Sequence, residues 1–204
     1  IVPAQQQLID AVELFRDAAI SELVVDLRYN GGGLLALASQ LGYMVTGPNI
    51  IQDSFFERTI FNDKYPNTNP VTGQTLSPVP FYSKVIDYEA GRLTDTDLPS
   101  LNLSRVFILS TGNTCSASEA FINGLRGIDV EVILIGDQTC GKPYGFYPTD
   151  NCGTTYFTIQ FSGVNAKGFG DFAGEQCLTL TTKHGFHILQ TFKDAVRGFI
   201  ENQR

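Results

Sequence analysis

Between residues 4 and 20, apolar side chains recur at three- and four-residue spacing. Leu8, Ala11, Val12, Phe15, Ala18 and Ala19 would share one face of an amphipathic helix. The period then shortens. Glu22 to Arg28 reads as a buried strand, and its β-branched pair Val24-Val25 suits a parallel sheet covered on both faces. Gly31 to Gly33 turn the chain, and Leu34 to Val45 resumes helical spacing until Gly47-Pro48 stops it. Residues 50–61 predict one or two strands. Residues 65–80 carry Pro66, Pro70, Gly73, Pro78 and Pro80, which deny regular structure. A loop of that length is expected either to wall a groove or to decorate the surface. Alternation then returns, with a strand at Arg105–Ser110, a helix at Ser116–Gly127, a buried strand at Val130–Gly136 and another strand at Thr154–Phe161. This rhythm predicts an α/β fold with a mainly parallel sheet, flanking helices and right-handed crossovers.

The length of 204 residues fits a single domain with an ample core. The chain starts at Ile1 without an initiator methionine, so it is expected to be a piece of a longer protein, and the lack of a signal peptide says nothing about export. No apolar run approaches the ~20 residues that span a bilayer. A formal net charge of −7 argues against nucleic acid and anionic membranes as partners. Four cysteines, Cys115, Cys140, Cys152 and Cys177, lack Cys-x-x-Cys spacing, and only two histidines, His184 and His187, accompany them, which argues against a zinc site. Reduced core cysteines or disulfides remain, and disulfides need an oxidising compartment. Cys140 and Cys152 flank a Pro/Gly-rich turn carrying Lys142, so a bridge between them is the expected pairing.

Two turns carry candidate chemistry. Asp26-Leu27-Arg28-Tyr29-Asn30-Gly31-Gly32-Gly33 and Thr114-Cys115-Ser116-Ala117-Ser118-Glu119 each follow an apolar strand and open into a helix. Such turns can lie side by side at one end of a parallel sheet, where α/β proteins place their sites. Ser116 would be a nucleophile at a helix N-terminus, where N–H groups and the dipole favour developing negative charge. The same Ser-x-x-Glu run is also a capping box, a purely structural role. A serine nucleophile needs a base. Lys142 is the candidate, since burial among Tyr144, Phe146 and Tyr147 would favour the neutral amine. A lone lysine is otherwise a solvated surface residue. The glycines would let a substrate carbonyl approach bare N–H groups, or would simply be a flexible turn.

The Asp-Leu-Arg-x-Asn-x-Gly-Gly run, the Thr-x-Ser-Ala-Ser-Glu run and the later Gly141-Lys142, 26 positions after Ser116, together resemble the S41 family of C-terminal processing (tail-specific) peptidases. The resemblance runs from about Leu8 to about Phe172. It implies a ClpP/crotonase-like α/β core and a serine endopeptidase that forms an acyl-enzyme on Ser116, with Lys142 as general base and Ser118 as the runner-up nucleophile. It implies Gly32 or Gly33, with Ala117, as oxyanion donors. Asp26, Arg28, Asn30 and Glu119 would be supporting residues. It implies no cofactor and no metal. The partner would be a protein or peptide substrate, engaged through its C-terminus in many relatives. The location would be the bacterial periplasm or cell surface. A PDZ domain, common in the family, has no counterpart in this chain. Many S41 peptidases place a Gln four residues after the Lys, where this chain has Phe146, so the third catalytic member is open. A histidine base, as in tricorn-like relatives, would have to be His184 or His187. Two other readings compete: an S41-like binding module that has lost catalysis, and a crotonase-like acyl-CoA enzyme sharing the glycine turn.

Overall fold

A computed structural model describes residues 2–173 of the 204. In chain order the elements are α1 (Val2–Asp17), β1 (Val24–Asp26), α2 (Leu35–Thr46), α3 (Pro48–Ile51), β2 (Phe55–Ile60), β3 (Val79–Pro80), β4 (Lys84–Asp87), β5 (Arg92–Asp97), β6 (Arg105–Ser110), α4 (Ala117–Gly127), β7 (Glu131–Gly136), β8 (Tyr144–Gly145), β9 (Thr149–Asn151), β10 (Thr154–Tyr156) and β11 (Phe161–Val164).

The centre is a parallel sheet of order β1-β6-β7. Val106, Ile108, Val132 and Leu134 are buried in it, as expected of near-continuous apolar strands covered on both faces. The register sets Asp26 beside Leu109 and Ser110 beside Gly136, so the three strands deliver their following turns to one end. α4 packs against this sheet and α2 through Phe121, Ile122 and Leu125, none more than 1% exposed. Each such side chain contributes about 2 kcal/mol by leaving water. The chain thus has the α/β core that the sequence predicts.

The structure departs from the expectation in three places. β1 forms the edge of the described sheet, and Val24 is 41% exposed rather than buried. The parallel pairing stops at three strands. A separate antiparallel sheet of order β3-β2-β11-β8 lies beside the core, and β4–β5 and β9–β10 form two hairpins. The single strand expected at Thr154–Phe161 is split: Thr154 to Tyr156 lie in the exposed β9–β10 hairpin, while Phe161 starts β11. The antiparallel sheet docks on the core through Phe56, whose ring rests on Gly124 of α4. A Cβ at Gly124 would sit 2.7 Å from that ring, so glycine there permits the close approach.

Candidate active site

Three turns meet beyond the carboxyl ends of β1, β6 and β7. Asn30 joins the first two. Its side-chain oxygen accepts from Gly32 N–H (3.0 Å) and from the Ser118 hydroxyl (3.0 Å), and its carbonyl accepts from Cys115 N–H (3.2 Å). Thr114 adds a bond from its hydroxyl to the Leu27 carbonyl (2.7 Å). Asp26 caps the start of the turn by accepting from Arg28 N–H (3.1 Å) and pairs with the Arg28 guanidinium, which holds the carboxyl below its ordinary range. Gly32 lies flat against the serine turn. A Cβ there would fall 2.7 Å from Ser116 Cβ, and its φ of +104° suits glycine alone.

Ser116 stands at the N-cap of α4 with φ of +57° and ψ of −118°. A serine at positive φ is strained by about 1–3 kcal/mol, a cost that surrounding contacts must hold in place. Ser118, by contrast, is buried with its hydroxyl engaged by Asn30.

Glu119 joins the second turn to the third. It is wholly buried, and one of its oxygens, Oε2, accepts from both Ser116 N–H (2.8 Å) and Lys142 N–H (2.9 Å). The two backbone nitrogens can therefore lie no further apart than those two bonds allow. The other oxygen accepts from Gly141 N–H (2.8 Å). Glu119 is thus more than a helix cap: it holds Ser116 and Lys142 to one carboxylate. A covalent link runs alongside. Cys115 and Cys140, 25 positions apart in sequence, form a disulfide with Cα atoms 5.3 Å apart. In the chain-entropy account the loop they close contributes about 3 kcal/mol. This corrects the expected Cys140–Cys152 pairing, since Cys152 is an exposed free thiol. The parallel register explains the choice: the chains leaving Ser110 and Gly136 run side by side, whereas Cys152 is carried off in the β9–β10 hairpin.

Ser116, Ala117, Gly33 and Lys142 line one cleft of about 430 Å³, walled by Leu34, Val79, Phe146, Phe161 and Phe172. Neither Gly33 N–H nor Ala117 N–H has a hydrogen-bond partner among the described residues, whereas Gly32 N–H is occupied by Asn30. Lys142 is half-buried and its ammonium lies 5.0 Å from the Phe146 ring centre, a cation–π contact that orients the head group. Phe146 in turn packs edge-on against Phe157 (5.4 Å). The proline-rich loop contributes to this wall, with Val79 in the cleft and Asn69 donating to the Tyr147 hydroxyl (2.8 Å). His184, His187 and Cys177 lie outside the described residues.

Sequence reasoning missed Glu57. It is 8% exposed and lines the same cleft. Burial raises its pKa from 4.5 to about 7. The alternation of β2 sets Glu57 and Thr59 on the cleft side and Phe56 on the core side, but the run Phe-Phe-Glu-Arg-Thr-Ile does not reveal which face is covered. Because the folded pKa is raised, the stability Glu57 contributes is complete below about pH 4.5 and is lost as pH rises through about 7. The loss is on the order of 3 kcal/mol. Glu57→Gln, which stays neutral, is expected to resist urea better than the wild type at pH 8 and about equally at pH 4.5. Equal pH dependence of the two urea midpoints would remove this assignment.

The sequence model of Peptidase family S41 matches residues 3–146. The chain belongs to peptidase family S41. Among solved structures it is similar to a Bacteroides fragilis protein described as an S41 protease, with 26% identity, a TM-score of 0.66 and coverage of 86% of this chain and 41% of that one. It shares the fold of a photosystem II D1 C-terminal processing protease (19% identity, TM-score 0.53, 87% and 37% covered). It also shares the fold of a Streptococcus agalactiae lipoprotein (14% identity, TM-score 0.55, 94% and 62% covered). The chain spans less than half the length of the first two. Among curated protein sequences, none matches it. No helix among the described residues is long and apolar enough to cross a membrane.

Proposed function

We propose that this S41 chain is the catalytic domain of a serine endopeptidase, with Ser116 as nucleophile and Lys142 as general base. The observation that carries the reading is the shared Glu119 oxygen, which holds the backbones of both residues at the mouth of one cleft. Ser116 Oγ attacks the substrate carbonyl carbon, and its proton passes to the neutral Lys142 Nζ. The carbonyl oxygen becomes an oxyanion facing Gly33 N–H and Ala117 N–H, which have no hydrogen-bond partner among the described residues. The C–N bond breaks, and the leaving amine takes the proton from Lys142. Water then attacks the ester carbon and gives a proton to Lys142; the bond from that carbon to Ser116 Oγ breaks, Oγ takes the proton back from Lys142, and the acid leaves with the serine and the neutral lysine restored. Gly32 acts by close approach, and Asn30, Asp26, Arg28 and Glu119 hold the turns. Phe146, where many relatives have Gln, orients the lysine through its ring.

The substrate is a protein or peptide, entered from an exposed C-terminal tail as in processing peptidases. The Cys115–Cys140 bridge supports an oxidising, extracytoplasmic location such as the bacterial periplasm. A fluorophosphonate probe tests the reading. The wild type is expected to carry one covalent phosphonyl group on the Ser116 peptide, found by mass spectrometry. Failure to label, with the fold intact, would favour a binding module or an acyl-CoA enzyme of the same fold.

A further inference from the structure

Glu57 is used by none of the steps above, yet its position is an unusual one. Its carboxyl group rests on the bare backbone of Gly163 in the neighbouring strand β11, where a Cβ would meet Glu57 Cδ at 2.1 Å. Glycine at 163 is therefore what leaves room for the acid. Much of the surrounding cleft wall is apolar, with Leu34, Val79, Ala120, Phe161 and Phe172 beside the polar Thr59, Tyr144 and Tyr147. No hydrogen bond or ion pair to Glu57's carboxyl, from Lys142 or any other group, is found among the described residues. A largely buried carboxyl group without a partner is costly to ionise, and such groups concentrate at functional sites.

We propose that Glu57 determines specificity by receiving the cationic head of a substrate lysine or arginine, whose aliphatic stem lies along the apolar wall next to Ser116. The chemistry fits both parts of these side chains. The methylene stem covers apolar surface while the head reaches a charge partner. The acid sits in a site where an uncharged isostere would leave it unpaired, so the discrimination is large for a small change in substrate. This deepens the peptidase reading by naming its substrate class, and rests on it for the position of the bond cut.

The test uses peptides Ala-Ala-X-Ala in which X is lysine, arginine or the uncharged isostere norleucine. The wild type is expected to favour lysine and arginine over norleucine by at least about tenfold in kcat/KM, and Glu57→Gln to lose that preference. Norleucine cleaved as well as lysine by the wild type, or a preference unchanged in Glu57→Gln, overturns the proposal. Calorimetric binding to Ser116→Ala separates it from the peptidase reading. If the wild type cleaves none of the peptides, that reading fails. Tighter binding of the lysine peptide, lost when Glu57→Gln is added to Ser116→Ala, still upholds the acid as a cation site, and equal binding of lysine and norleucine peptides rejects it.

Discussion

Ser116→Ala is expected to lower kcat/KM on an unstructured protein substrate by roughly 10⁴-fold or more, the scale on which serine hydrolases lose their nucleophile. The variant should remain folded, because Asn30, Thr114 and the Glu119 carboxylate assemble the turn and the serine hydroxyl adds only its half of the capping box. Alanine at the N-cap costs about 1 kcal/mol. Ser116→Gly sharpens the distinction. It removes the same hydroxyl but also relieves the positive φ of +57°, so it should be as inactive as the alanine variant and at least as stable in urea. Normal turnover by either folded variant removes Ser116 from the mechanism.

The second large effect belongs to the base. Lys142→Arg keeps a cation over Phe146 but supplies a group that stays protonated at any working pH. Loss of general-base catalysis costs about 10²–10⁴-fold. A histidine base would give wild-type kcat/KM a limb near pH ~6.5. Glu57 lines the same cleft and titrates at about 7. A limb there that disappears in Glu57→Gln belongs to the acid and not to the base. Near wild-type activity in Lys142→Arg rejects the Ser–Lys pair and makes His184 or His187 the next base to test.

Much of this arrangement was legible in the sequence wherever burial leaves a periodic trace. Arg105–Ser110 is a strand over the span expected, and α4 begins one residue after the serine that opens the expected helix. Both segments pack in the core, so their apolar patterns are dictated by it. The β4–β5 hairpin left no such trace, because Lys84–Asp87 is only half-buried, Arg92–Asp97 is largely exposed, and both carry charge on both faces. The second role of Glu119 was hidden for a different reason. Its local pattern is fully explained by the helix cap, and its bonds to Gly141 and Lys142 depend on a chain segment more than twenty residues away. The disulfide was misassigned on the same grounds, since closeness along the chain suggested Cys152 while strand register delivered Cys115. Glu57 required knowing that β2 belongs to a second sheet lying beside the core, where Gly163 of β11 makes room for the acid.

The strand register has one more effect. Gly33, Ser116 and Lys142 are scattered over more than half of the chain, and nothing local brings any two of them together. Only when β1, β6 and β7 are aligned does one carboxylate gather the last two. On the proposed mechanism, a nascent or partly unfolded copy would have no assembled hydrolytic centre, so activity would appear only with the completed fold.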